Sequence, residues 1–269
     1  MPKKTVAIIG YGALGSILAS ALRQTLPKDY QVSGIWTRHI QRDMERIQQD
    51  GFRPYGSFEA LLADKPDYAV EIASGEAVHM YGKALLCAGI SLIVTSVGAL
   101  AEDALRESLA QSAQASGTRI YVTSGAVGGF DVLQTVALMG NAQGCIENIK
   151  APESLNGAPY LEGKSLPLGR QQTIFQGTAR EAIAGFPKNV NVAVASALAS
   201  VGVDAMQVVI DSCPGKQDNL HRITVENDGV RAVIEVTSRP NPDNPRSSIM
   251  TAWSVVALLR NLSGPIQFF

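Results

Sequence analysis

Residues 5–9 (TVAII) form a short, wholly apolar, β-branched run, the pattern of a parallel strand buried on both faces. A glycine turn follows, and then Leu14, Ile17, Leu18 and Leu22 recur at helical spacing to about residue 26. The alternation continues with a strand at 31–36 (QVSGIW), a polar helix at 40–49, a helix starting at 57–62 and a strand at 68–72 (YAVEI). A helix at 77–88 stopped by Gly89, a strand at 91–95 (SLIVT), a helix at 102–116 and a strand at 119–122 complete the series. Strands alternating with helices predict right-handed βαβ units around a parallel sheet.

The rhythm breaks near Ser124. The Gly-rich piece Gly125-Ala126-Val127-Gly128-Gly129 opens a helix at about 131–139, and residues 148–174 read as irregular, with short strands and turns. Helices are predicted at 181–184 and 190–200, and strands at 205–211, 222–226 and 231–237. The last two strands are joined by Asn227-Asp228-Gly229, a strong hairpin signal. Pro240, Pro242 and Pro245 impose an extended connector before a final helix at 247–262, with Ile249, Trp253, Val256 and Leu259 along one side. The expected fold class is α/β: a Rossmann-type doubly wound parallel sheet over 1–123, with a second, smaller α+β substrate domain over 124–246. The helix at 247–269 is expected to pack back on the first domain. Chemistry is expected in a cleft between the two domains, a usual place for ligands.

The composition narrows the class. A chain of 269 residues, 46% apolar and 17% charged, is ordinary globular material. A formal net charge of −1 lacks the basic footprint of a nucleic-acid binder. Cys87, Cys145 and Cys213 are odd in number and widely spaced, with no metal-type Cys/His spacing, so reduced thiols and no metal are expected. No apolar run approaches the roughly 20 residues of a membrane span. The N-terminus runs straight into a strand without a signal-peptide pattern, so a cytoplasmic protein is expected.

Gly10-Tyr11-Gly12-Ala13-Leu14-Gly15 fits G-x-G-x-x-G between a predicted strand and a predicted helix, the context that makes this pattern a dinucleotide-binding signal. Gly10 permits the tight turn, Gly12 lets backbone approach a pyrophosphate, and Gly15 lets helix and strand pack closely. The helix N-terminus, at Ala13 and Leu14, supplies N–H groups for the phosphates. The second strand ends at Trp36-Thr37-Arg38, without the Asp or Glu that commonly bonds the ribose of NAD. Arg38 is suited to a 2′-phosphate, so NADP is expected to be accepted beside NAD; the same position also suits an arginine in solvent. Ala73-Ser74-Gly75 and Ser96-Val97-Gly98-Ala99 follow two more strands, where the nicotinamide half of a cofactor runs. Ala73, Ser96 and Gly98 would leave room for the ring, although simple tight turns look alike.

Hydride transfer asks the protein for positioning and a path for a proton. Of His39, His79 and His221, only His221, just before the predicted 222–226 strand, is placed to face the nicotinamide. A histidine before a strand equally suits a structural role.

Several separated stretches, in order along the chain, resemble the L-aspartate dehydrogenase family. They are the 10–15 loop, Ser96-Val97-Gly98-Ala99-Leu100, Ser124-Gly125-Ala126-Val127-Gly128-Gly129-Phe130-Asp131 and Gly177-Thr178-Ala179-Arg180-Glu181-Ala182. Phe186-Pro187-Lys188-Asn189-Val190-Asn191-Val192-Ala193, Asn219-Leu220-His221 and Asn244-Pro245-Arg246-Ser247-Ser248 follow. The resemblance implies NAD(P)-dependent oxidation of L-aspartate to iminoaspartate, or reductive amination of oxaloacetate with ammonia, and a connection to NAD biosynthesis. It places the catalytic histidine on His221 and cofactor contacts on Ala126 and Asn191, with Asn189 the near alternative; helix capping is the other reading of that asparagine pair. Dimers are usual in the family. Lys188, Arg246, Lys164 and Arg170 are candidates for binding substrate carboxylates. The stretch Asp211-Ser212-Cys213-Pro214-Gly215 departs from the family's commoner Asp-Pro, and the match near Lys150-Ala151-Pro152 is loose. Competing readings are a reductase of another amino-acid-derived imine or aldehyde, and a dinucleotide sensor without turnover.

Overall fold

The computed structural model describes residues 2–164, 166, 169–187, 189–239 and 248–268. They divide into two compact units, Met1–Thr123 with Thr251–Phe268, and Ser124–Met250.

In the first unit five strands, β1 (Lys4–Ile9), β2 (Tyr30–Trp36), β3 (Tyr68–Glu71), β4 (Ser91–Val94) and β5 (Ile120–Val122), stand in the order β2-β1-β3-β4-β5. Every pairing is parallel. Helices α1 (Ala13–Thr25), α2 (Ile40–Gln49), α3 (Phe58–Asp64), α4 (Gly75–Cys87) and α5 (Asp103–Ser116) connect them. Ser57 and Ser74 accept from the Ala60 and Ala77 N–H groups and so start α3 and α4 where the chain leaves extended backbone. The order turns back between β1 and β3, the switch point beside which doubly wound sheets bind ligands.

The second unit holds a mixed sheet in the order β10-β9-β6-β8-β7, made of β6 (Gln143–Lys150), β7 (Gln172–Thr178), β8 (Gln207–Ser212), β9 (Asn219–Glu226) and β10 (Arg231–Ser238). Only β6 and β8 run parallel; the other neighbours are antiparallel. Helices α6 (Phe130–Leu138), α7 (Pro152–Leu155), α8 (Ala179–Gly185) and α9 (Asn191–Leu198) accompany it. A capping box between Thr178 and Glu181 starts α8. The Asn227 side chain accepts from the Gly229 and Val230 N–H groups and shapes the hairpin from β9 to β10.

Three sequence expectations need correction. Residues 148–150 belong not to an irregular stretch but to β6, an eight-residue strand at the centre of the second sheet. His221 does not precede a strand; it is the third residue of β9. The last helix, α10 (Met250–Ser263), buries Ala252, Val255, Val256 and Leu259 in the core of the first unit, beside Leu18, Leu22 and Tyr30. Trp253 and Ile249 stay 46% and 38% exposed, because the apolar stripe is set by Ala252 rather than Ile249. Pro240, Pro242, Pro245 and the expected extended connector lie outside the described residues. Among the described residues no helix is long and apolar enough to cross a membrane.

Candidate functional site

The glycine motif of the first unit forms the turn from β1 into α1. Gly10 adopts φ +107°, a conformation that excludes most side chains, and a Cβ there would stand 2.8 Å from both Ala73 Cβ and the Ile72 carbonyl oxygen. A Cβ on Gly15 would overlap the Gly10 carbonyl. Gly12, the N-cap of α1, has open space where its Cβ would be. Glycine is thus required by packing at 10 and 15, and leaves backbone approachable at 12. The N–H groups of the first helical turn, at Ala13, Leu14 and Gly15, have no acceptor earlier in the helix and concentrate positive potential. This cradle fits a dinucleotide pyrophosphate. Tyr11, inside the loop, is buried: its hydroxyl donates to Asp50, and Arg46 stacks on its ring and donates to its carbonyl.

A buried carboxylate that the sequence reading passed over organises the next two loops. Glu71 ends β3 with 1% exposure. One oxygen accepts from the Ala73 N–H, the Ser74 N–H and the Ser96 hydroxyl, each at 2.8 Å; the other accepts from the Ser96 N–H at 3.0 Å. Burial raises its pKa, while those donors pull the other way by favouring the ionised form. Ala73 and Ser96 are therefore held through one side chain, and the Ser96 hydroxyl is engaged with Glu71. The segment at Gly98 is a 3-10 turn, Val97–Ala101, rather than a simple tight turn. The signal was present in Tyr68-Ala69-Val70-Glu71-Ile72, where one charged residue interrupts an otherwise buried strand.

Arg38 follows β2 and pairs with Glu76 of α4 at 2.6 Å, both side chains more than half exposed. The nearest acid in sequence, Asp43, accepts from the Thr37 hydroxyl and from Arg42, so it is engaged locally.

In the second unit, Ala126 is buried in the turn closed by the Val127 N–H donating to the Ser124 carbonyl. Gly129, at φ +73° and against Ile234, caps α6. Asn191 is the first residue of α9, half-buried, and Val190 occupies the capping position. Asn189 is buried, with its amide nitrogen donating to the Ser154 carbonyl at 2.8 Å.

His221 is 3% exposed. Its Nδ1 lies 2.6 Å from Asn148 Oδ1, directly across the β6–β9 pairing. That oxygen can only accept, so Nδ1 carries the proton and Nε2 presents a lone pair. Burial, and then the nearby charge of Lys150, lower the imidazole pKa to about 3. Lys150 is 4% exposed and donates to the Asn189 carbonyl at 3.2 Å; burial lowers its pKa to about 8.

The residues expected to bind carboxylates fare differently. Lys164 is exposed, its ammonium 3.7 Å from the Tyr160 ring centroid, and Arg170 is exposed ahead of β7. Lys188 and Arg246 lie outside the described residues.

Comparison with known proteins adds a lineage to this geometry. Residues 131–262 match a family described as "Aspartate dehydrogenase, C-terminal", and residues 10–123 match "Homoserine dehydrogenase, NAD binding domain". The chain is 36% identical over 258 residues to L-aspartate dehydrogenase 2 of Bordetella pertussis, covering 95% of each protein. It is 35% identical over 216 residues to an L-aspartate dehydrogenase of Methanosarcina mazei, covering 79% of each. A crystal structure of aspartate dehydrogenase from Thermotoga maritima superposes with TM-score 0.78 at 27% identity over the whole of both chains.

Proposed function

The chain belongs to the aspartate dehydrogenase family, and from that premise we infer how its residues carry out NAD(P)-dependent oxidation of L-aspartate. The products are iminoaspartate and then, after hydrolysis, oxaloacetate and ammonia; reductive amination is the reverse. When bound, NAD or NADP supplies the hydride acceptor. The backbone at Gly10, Gly12, Ala13, Leu14 and Gly15 holds the pyrophosphate, and Arg38 receives a 2′-phosphate when the cofactor is NADP. Ala73, Ser96 and Gly98 leave room for the nicotinamide half, and Ala126 and Asn191 hold its carboxamide.

His221 handles the proton. The observation that carries this role is the hydrogen bond from its Nδ1 to Asn148, which fixes the tautomer and leaves a neutral Nε2. The amine of aspartate must lose a proton before its Cα–H can leave as hydride, and Nε2 accepts that proton, its basicity raised by the negative charge of the bound dicarboxylate against the burial and the Lys150 charge that lower it. In the hydrolytic half, after that first proton has passed to solvent, Nε2 takes a proton from the water that adds to the imine carbon.

The small-molecule substrate follows from the family. A cytoplasmic homodimer without nucleic-acid or membrane partners is also proposed. The near-neutral charge and three cysteines without disulfides support that setting; sedimentation velocity measures the assembly.

The test is NADH or NADPH consumption with oxaloacetate and ammonium. Turnover on this pair, and none on aspartate semialdehyde, is expected. Tight cofactor binding with no turnover would establish a sensor instead, and preference for the aldehyde would establish a reductase.

A further inference from the structure

Five buried side-chain polar atoms lack a hydrogen-bond partner among the described residues, and four of them belong to the second sheet: Asn148 Nδ2, Ser212 Oγ, Asn219 Oδ1 and Ser238 Oγ. The strand register puts them on one face. Ser238 stands opposite Asn219, His221 opposite Asn148, and Lys150 beside Ser212. Residues directly paired across strands share a face, as do residues two apart along one strand. Asn148, Lys150, Ser212, Asn219, His221 and Ser238 therefore line one side of β6, β8, β9 and β10, at the end of the sheet where His221 lies.

The acidic residues of the same strands face the other way. Glu147 and Glu235 pair with Arg222, and Asp211 accepts from Gln171 and Thr173. The Lys150 ammonium is left with a single described partner, the Asn189 carbonyl, although it has three protons to donate. A buried cation without a counterion among the described residues, beside hydroxyl and amide groups without partners there, is costly to the fold. Such a cluster is complementary to an anion that supplies what the protein omits.

We propose that Lys150, with the Ser212 hydroxyl on the neighbouring strand and the Asn148 amide nitrogen, is the binding site for one carboxylate of the dicarboxylate substrate. The assignment rests on the reading of His221 as the reacting end of the site. Lys150 and Asn148 alternate along β6 on its inward face, so the anchored carboxylate sits one strand repeat from the imidazole. Asn219 Oδ1 supplies an acceptor in the same row, suited to an N–H of the substrate. This anchor replaces the exposed lysine and arginine proposed from the sequence.

The test uses the full chain loaded with NADH or NADPH, following quenching of nicotinamide fluorescence by succinate, a dicarboxylate that cannot react. Lys150→Met is expected to weaken succinate binding at least thirtyfold. Ser212→Ala is expected to weaken it at least threefold while leaving the melting temperature unchanged or higher, since the hydroxyl it removes has no partner to lose. Cofactor affinity is expected to hold in both. Succinate affinity within twofold of wild type in Ser212→Ala, or within threefold in a folded Lys150→Met, overturns the proposal. A His221→Asn variant separates the two readings. Retained succinate binding with lost turnover supports both, whereas full turnover in that variant refutes the role of His221 and leaves the succinate results to judge the carboxylate site alone.

Discussion

Burial lowers the pKa of both His221 and Lys150, and both therefore link stability to pH. The imidazole titrates near 6.5 in the unfolded chain and about 3 in the folded one, so below pH 6.5 the unfolded state binds a proton that the native state does not. Stability is expected to fall as pH drops through that window, by up to about 1.4 kcal/mol per pH unit. Lys150 has its ordinary value of 10.5 unfolded and about 8 folded, so the unfolded state again holds the extra proton, and stability rises from pH 8 to pH 10.5. Urea denaturation of wild type and Lys150→Met across pH 5 to 10.5 checks both. The variant should lose the alkaline rise and gain roughly 1–3 kcal/mol at pH 7. A variant less stable than wild type at pH 7 would mean that the ammonium already has adequate company in the folded protein.

Arg38 makes a different residue-scale prediction. Its exposed pair with Glu76 contributes little to stability, because solvent screens it. A 2′-phosphate would compete with Glu76 for the guanidinium. Arg38→Ala should weaken NADP binding roughly tenfold, the worth of one charge-assisted contact, and leave NAD unchanged. Glu76→Gln should tighten NADP. Equal NADP and NAD effects in a cofactor titration would assign Arg38 to solvent.

At the scale of elements, Glu71 couples the loop after β3 to the loop after β4. Glu71→Gln keeps the shape but turns one acceptor into a donor facing N–H groups. It is expected to cost about 1–3 kcal/mol and to loosen cofactor binding through the displaced loops. Thermal melting with a parallel cofactor titration checks both effects; a melting loss with unchanged affinity would confine Glu71 to the fold.

The elements also explain which parts of the fold could be read in advance. The strands of the first sheet are apolar runs, so Val6, Ile8, Val70 and Ile93 declare themselves. β6 and the start of β9 do not, because their inward positions carry Asn148, Lys150, Asn219 and His221. Polar residues at core-facing positions erase the alternation that identifies a half-buried strand. The very residues assigned to substrate thus concealed the elements that hold them. The stripe of α10 was misjudged for a simpler reason: Ala252 is small, and Trp253 beside it outweighed it in the pattern although it faces outward.

For the whole molecule, the glycine loop and the alternation of strands and helices marked the nucleotide-binding unit from the sequence. The second unit was recognisable mainly through family resemblance, since its sheet has one parallel pair among antiparallel ones and no motif of that order. His221 itself was found by resemblance and by exclusion of His39 and His79. Asn148, Lys150 and Ser212 join it only through strand register, which links residues more than 60 positions apart and has no sequence signature.

The central claim is that the Nε2 of His221 carries the proton of the reaction. Its most direct measurement is the rate of aspartate oxidation by His221→Ala with saturating cofactor, set beside the cofactor dissociation constant of the same variant. The expected result is a loss of 10²- to 10⁴-fold in kcat with cofactor affinity unchanged. A kcat within threefold of wild type would contradict the account.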